Sequence, residues 1–331
     1  MKNELEKYQE NANSQSLEAG FNILNQIPEE LIWLENFTSK ATQKTYKSTV
    51  KKFCAMFEIQ NLDNLRSINS MHIIKFRDAM KANGEKNSSI NNRMAGLSSL
   101  FKHLIEKQII KVNPVYGVKA MQKNYRKVSS RALNNQEVQA ILNQPDITKL
   151  LGLRDKAILS ILFNVGSRVG TISNLKVSDV YEEDGYMILD MHLKGDKRNK
   201  VAVNSHIQAN IRNYFTRLGY YDENNKLRSD INLNLPVFPR MSNNPKLNDL
   251  TKPISTKSIW QLWNKYVLKA GIERTRPHCA RSTFITEAFK AGGDLQHIQK
   301  TAGHSDPRTT ESYNHNAAEH KNSASFKVSF G

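Results

Sequence analysis

The chain has 331 residues, with 48 Lys and Arg against 31 Asp and Glu, a formal net charge of +17. That length can hold two domains with separate cores, and the excess charge points to a polyanionic partner, nucleic acid first. Two cysteines, Cys54 and Cys279, are too few and too far apart for a disulfide framework or a zinc site. The longest apolar run, around Ile158 and Leu162 and broken by Ser160, is far short of a bilayer span. The acidic, polar start has no apolar segment of the signal-peptide kind, so a cytoplasmic location is expected.

In chain order, residues 1–27 are rich in Asn, Gln and Glu with one apolar patch at Phe21, Ile23 and Leu24. A polar, flexible extension without chemistry is expected there. Pro28 suits the opening of a first helix with Leu31, Ile32 and Leu34. From about Ser39 the pattern is helical. Tyr46, Val50, Phe53, Cys54 and Phe57 follow the spacing of one buried face, and Asn69 and Ser70 are caps for a run with Ile73, Ile74, Phe76 and Met80. Ser88 and Ser89 offer a cap for a third run through Ile90, Met94, Leu97, Phe101 and Leu104, and Asn113-Pro114 ends the unit. Residues 28–119 thus read as a small domain of four short helices. Residues 38–127 carry 18 basic and 5 acidic groups, the densest positive block of the chain. Lys44, Lys47, Lys51, Lys52, Arg93 and Lys102 on the polar faces, with Lys123, Arg126 and Lys127 in an aperiodic basic linker at 120–131, are candidate phosphate contacts.

The second domain, residues 132–331, opens with Asn134 as a cap and Glu137 three positions on. A buried helical run through Leu153, Ile158 and Leu159 leads to Gly166-Ser167-Arg168. A β-like stretch from Tyr186 to Leu193, a polar turn at Gly195 to Asn199 and a return through Val201 and Val203 read as a hairpin with three lysines near its tip, Lys194, Lys197 and Lys200. Further helices follow on either side of an Asn-rich loop between Asn224 and Asn248.

The stretch from Pro277 to Tyr313 concentrates the chemistry. His278 and Arg281 are three apart and share a helix face. Gly292-Gly293 ends that helix. The next run has Asp294 at its start and Lys300 near its end, as the helix dipole favours, and Gly303 sits where a left-handed residue closes a helix and turns the chain to His304. A guanidinium offers a fixed fork to two phosphate oxygens, imidazoles donate hydrogen bonds or move protons near neutral pH, and a phenol is a nucleophile once its proton is removed.

His278-x-x-Arg281, Ala302-Gly303-His304 and Tyr313 nine residues later, with Arg168 and a hairpin lysine upstream, resemble the signature of the tyrosine recombinases, the phage-integrase and Xer-type family. The resemblance implies a mainly α fold with a small antiparallel β-sheet: an N-terminal helical core-binding domain that grips the duplex, then an α+β catalytic domain. It implies that Arg168 and Arg281 hold the scissile phosphate, that His278 and His304 complete the cradle, that Lys194 protonates the leaving 5′-oxygen and that Tyr313 is the nucleophile. It also implies a homo-tetramer on double-stranded DNA bearing specific recombination sites, with accessory or partner recombinases as further partners and no metal or nucleotide cofactor. The role expected is integration or excision of a mobile element, or chromosome-dimer resolution. In the family a C-terminal segment packs on a neighbouring protomer, a part that Phe326, Val328 and Phe330 can fill. One departure stands out: where the family has an acidic residue three positions after the first arginine, this chain has Thr171. Alternatives are a type IB topoisomerase-like enzyme, which shares the cradle, and a catalytically impaired DNA-binding relative. Carboxylates for a metal-dependent transposase would have to come from Asp155, Asp179 and Asp190, and no His-x-His triplet of a nickase is present.

Overall fold

The computed structural model describes residues 28–122, 131–193 and 197–314. The linker residues Lys123, Arg126 and Lys127, the hairpin-tip Lys194 and both terminal segments lie outside them. The chain divides into two compact units, Met1–Asn124 and Tyr125–Gly331.

The described part of the first unit holds five helices: α1 (Pro28–Glu35), α2 (Lys40–Met56), α3 (Leu62–Arg66), α4 (Ser70–Ala82) and α5 (Asn87–Glu106). The expectation of four short helices is corrected on both counts. α5 runs 20 residues, and the five-residue α3 is too short to show a period. The expected buried face holds: Val50, Phe53, Ile73, Phe76, Ile90, Leu97, Phe101 and Leu104 form one core. Its centre is aromatic, with Phe53 edge-on to both Phe76 and Phe101. Asn69 caps α4 as expected. Ser88 and Ser89 do not cap α5. The N-cap is Lys86, without a side-chain bond, because the helix begins at Asn87, whose side-chain amide donates to the Gln122 carbonyl at 2.9 Å.

The second unit is built around α7 (Leu150–Val165), preceded by α6 (Asn135–Leu142) with the reciprocal Asn134–Glu137 capping box. α7 is buried along most of its length, which is why its apolar residues show no one-sided stripe. The short α8 (Val169–Ser173) leads into a three-stranded antiparallel sheet, β1 (Val180–Glu183), β2 (Tyr186–His192) and β3 (Arg198–Ala202), in the order β1-β2-β3. In register, Leu189 faces Val201 and Asp190 faces Lys200. The return strand therefore starts three residues earlier than read: Arg198 and Asn199 belong to the ladder rather than the turn, and Lys200 joins them. The period-2 signal was hidden because Arg198 and Lys200 point outward while the inward residue of that pair is an asparagine, buried at 7% exposure.

α9 (Ser205–Leu218) packs on α7. β4 (Pro239–Arg240), inside the Asn-rich loop, pairs with β5 (Asp249–Pro253), just after it, and the chain goes on to α10 (Thr256–Lys269). Then come α11 (His278–Lys290), α12 (Leu295–Ala302) and α13 (Pro307–Glu311). Of the described helices, none is long and apolar enough to cross a membrane.

Candidate active site

Two left-handed glycines shape the site. Gly166 (φ 67°) ends α7 and turns the chain toward Arg168; a β-carbon there would come within 2.7 Å of the Phe284 ring. Gly303 (φ 66°) ends α12 and delivers His304; a β-carbon there would meet Leu193 at 3.0 Å. Asp294 caps the start of α12 by accepting from the Gln296 and His297 amides.

Arg281 is 1% exposed. Its Nη1 donates to the carbonyls of Gly166 (2.7 Å) and Ala302 (2.6 Å), and its Nε donates to His304 Nε2 (3.1 Å). Its Nη2 is buried and has no hydrogen-bond partner among the described residues. Burial, then the neighbouring Arg168 charge, lowers its pKa to about 10, partly offset by Tyr313. A buried cationic donor left without an acceptor is costly unless an anion completes it. Arg168 is exposed and donates from Nη1 to the Gly303 carbonyl at 3.2 Å. That carbonyl, not a carboxylate, is what holds it among the described residues, while Thr171 sits half-buried in α8.

His304 is buried at 8% exposure. An arginine Nε only donates, so Nε2 of His304 must accept and its proton resides on Nδ1. That Nδ1 lies 2.7 Å from Thr310 Oγ1. Burial, followed by the charges of Arg281, Arg168 and His278, lowers the ring's pKa to about 3, so the ring is neutral.

Tyr313 is 6% exposed; its ring joins Ile285, Ile298 and Ala302 in a small separate core and lies nearly parallel to His304, with centroids 6.4 Å apart. Its hydroxyl is 3.4 Å from Nε2 of His278, a ring open to solvent by surface area. Enough protein crowds that ring that desolvation, then the Arg281 and Arg168 charges, lowers its pKa. A neutral imidazole beside a phenol is placed to take its proton. The structure therefore brings Arg168, His278, Arg281, His304 and Tyr313 together.

The hairpin is tied to this site. Asn199 Nδ2 donates to the Lys300 carbonyl at 2.8 Å, beneath the Gly303 turn, and Leu193 N bonds the Lys197 carbonyl at 2.7 Å. Of the two competing lysines, Lys200 pairs with Glu183 at 2.9 Å and lies over the Tyr181 ring, and Lys197 is exposed at the start of the return strand.

The three aspartates considered as metal ligands are engaged in ion pairs. Asp155 accepts from Arg154 and from the Tyr266 hydroxyl (2.8 Å), while Asp179 and Asp190 share Arg198 at 2.9 Å each. Sequence reading missed Thr310, Asn199 and the Gly166 carbonyl, since a hydroxyl, an amide and a backbone oxygen carry no pattern until the chain folds.

In the first unit, Lys44, Lys47 and Lys51 follow one face of α2, with Lys44 exposed and Lys51 lowered in pKa by burial and by Lys47. Lys52 and Arg93 converge on Glu85, at 3.6 and 2.8 Å, and Lys102 lies 3.9 Å from Glu106. Those three candidates are matched by carboxylates.

Residues 131–320 match the phage integrase family, and residues 29–108 match the SAM-like N-terminal domain of phage integrases. The first match covers more than half of the sequence: the chain belongs to the phage integrase family, the site-specific tyrosine recombinases, enzymes that break and rejoin DNA. Among its relatives, tyrosine recombinase XerC of Myxococcus xanthus is 31% identical over 225 residues, 67% of this chain and 69% of the relative. Tyrosine recombinase XerD of Staphylococcus haemolyticus is 25% identical over 287 residues, 86% of this chain and 91% of the relative. Two solved structures share the fold. The XerH recombinase in a post-cleavage complex with a palindromic difH substrate gives a TM-score of 0.65 at 19% identity, covering 92% of this chain and 87% of that one. A lambda integrase tetramer bound to a Holliday junction gives 0.62 at 16% identity, covering 92% and 79%.

Proposed function

We propose that this recombinase cuts and rejoins specific DNA sites through a 3′-phosphotyrosine intermediate, with Tyr313 as the nucleophile. The observation that carries the reading is the buried Arg281 Nη2, which has no partner among the described residues, on a guanidinium electrostatically coupled to Tyr313 and to His278, whose Nε2 is 3.4 Å from the Tyr313 hydroxyl. A non-bridging phosphate oxygen supplies the acceptor that Nη2 needs, and Arg168 supplies a second fork from the exposed side. His278 takes the phenolic proton as Tyr313 attacks phosphorus. Charge building on the phosphate is held by the two guanidiniums. Lys194, on the hairpin that Asn199 anchors, protonates the departing 5′-oxygen. The phosphodiester energy is retained in the phosphotyrosine bond, so the 5′-hydroxyl of a partner strand reverses the step and no metal or nucleotide is required.

The unit of action in this reading is a homo-tetramer on double-stranded DNA, as in the lambda integrase tetramer on a Holliday junction. The biological job is chromosome-dimer resolution or movement of a mobile element, and accessory DNA-binding proteins or partner recombinases are candidate further partners. The N-terminal helical unit, 28–119, and the basic linker after it grip the duplex in this reading. A suicide duplex tests the reading: wild-type protein should form an SDS-resistant adduct, insensitive to EDTA, and Tyr313→Phe should bind the duplex but form none. An adduct surviving in Tyr313→Phe, or one abolished by EDTA, would overturn it.

A further inference from the structure

Thr310 has no part in the scheme above, yet it is 0% exposed and lies between two of its residues. Its side-chain Oγ1 is 2.7 Å from His304 Nδ1, and its backbone carbonyl accepts the Tyr313 amide at 3.1 Å. One residue thus joins the imidazole that backs Arg281 to the backbone that carries the nucleophile. The donor arithmetic fixes the direction of the first bond. Arg281 Nε donates to His304 Nε2, so that nitrogen holds a lone pair and Nδ1 holds the proton; Thr310 Oγ1 is then the acceptor.

The alternative tautomer would place two N–H groups, of Arg281 and of His304, against each other in a buried site. Thr310 serves the tautomer that Arg281 sets: its hydroxyl accepts Nδ1–H, a donor otherwise buried without a partner. It also restricts the ring to the orientation in which it lies nearly parallel to Tyr313, with an interplanar angle of 16°.

The geometry points to Thr310 as a positioning residue: its hydroxyl accepts the Nδ1–H of the His304 tautomer that Arg281 sets and so holds the ring in place behind Arg281, and its carbonyl fixes the Tyr313 backbone to the same anchor. This rests on the reading of Tyr313 as nucleophile and adds the device that aligns it with the phosphate cradle. A threonine whose role is only to fill space would be replaced by valine at little cost, since the two have nearly the same shape.

The test has a DNA-free arm and a reaction arm. Two-bond proton–nitrogen correlation spectra of uniformly ¹⁵N-labelled wild-type protein, with His304 assigned by its loss in His304→Gln, should show a protonated Nδ1 and a bare Nε2. In Thr310→Val the tautomer set by Arg281 should remain, but the low-field position of the Nδ1 proton, which marks its hydrogen bond, should be lost. In Thr310→Ser it should persist. Single-turnover adduct formation should fall about 10- to 100-fold in Thr310→Val, the range expected from one unsatisfied buried donor, with duplex affinity unchanged and with Thr310→Ser within about threefold of wild type. A protonated Nε2 in the wild-type protein overturns the inference without any variant, so poor folding of Thr310→Val leaves it testable. Thr310→Val cleaving within threefold of wild type also overturns it. The tautomer measurement stands apart from the function proposed above: a surviving adduct in Tyr313→Phe would remove the nucleophile assignment and leave the His304 result in place.

Discussion

Arg281 donates its Nε–H to His304 Nε2 across 3.1 Å, which makes the histidine an acceptor and a support for the arginine in the DNA-free protein. The pair is buried, and its two members sit on different helical turns, α11 and the exit of α12. The predictions below start from that contact.

The first concerns pH. The folded-state pKa of His304 is lowered from 6.5 to about 3 by burial and by the charges of Arg281, Arg168 and His278. Unfolding restores the ordinary value, so between these limits the unfolded chain binds the extra proton. Stability from this group is therefore complete above about 6.5 and is lost as pH falls toward 3. His278 is shifted the same way and adds to the slope. Urea unfolding followed from pH 7.5 to pH 5 should show a falling midpoint, and His304→Gln should flatten it. An equal slope in the variant would show that His304 is not held neutral.

Arg281→Lys separates charge from the fork. A lysine keeps the positive charge but cannot serve His304, Gly166 and Ala302 at once, so buried acceptors lose partners. The loss should be on the order of 2–4 kcal/mol in the unfolding free energy of the catalytic unit, with adduct formation down by at least about 100-fold. Arg168→Lys is the contrast. Arg168 is exposed and, among the described residues, makes one bond at 3.2 Å, so stability should change by less than about 0.5 kcal/mol while adduct formation is still lost. Denaturation curves and suicide-duplex assays on both variants check this.

A third prediction singles out the general acid among the hairpin lysines. Replacing the bridging 5′-oxygen by sulfur gives a leaving group that needs little protonation. Lys194→Ala should cleave an ordinary duplex poorly and the 5′-phosphorothiolate duplex at close to the wild-type rate. Lys200→Ala should cleave both normally, because Lys200 is engaged by Glu183 and lies over Tyr181. Arg281→Ala should not be rescued. Rescue of Lys197→Ala in place of Lys194→Ala would move the general acid along the hairpin.

A fourth addresses the N-terminal unit. If the Lys44, Lys47 and Lys51 face of α2 lies on phosphates, changing all three to Ala should reduce the slope of log affinity against log salt by roughly 2–3. Changing Lys52 and Arg93, which converge on Glu85, should have a smaller effect on that slope and a larger one on stability. Titrations between about 50 and 200 mM salt distinguish the two groups, and an unchanged slope in the triple variant would mean that this face of α2 does not lie on DNA.

The sequence alone determined the local architecture and the inventory of the site. Helix faces such as Val50 to Phe53 repeat every few residues, and the caps at Asn69, Asn134 and Asp294 and the left-handed stop at Gly303 act within one turn of chain, so each is written in its own neighbourhood. The order of Arg168, His278, Arg281, His304 and Tyr313 was legible for the same reason: spacing is a property of the string. Short or irregular pieces were not. α3 has too few residues to show a period, and the start of β3 was masked by an inward asparagine.

What only the tertiary structure decided is how the inventory is held. The Gly166 carbonyl meets Arg281 across 115 positions of sequence, and Asn199 meets Lys300 across 101. Nothing local marks a backbone oxygen or an amide for such a task. The same holds for Thr310, whose hydroxyl is ordinary until burial removes water as an alternative partner for His304 Nδ1. Proton positions and pKa shifts follow from burial, and burial is set by how distant segments pack, so they became readable only once α7, α11 and α12 closed on one another.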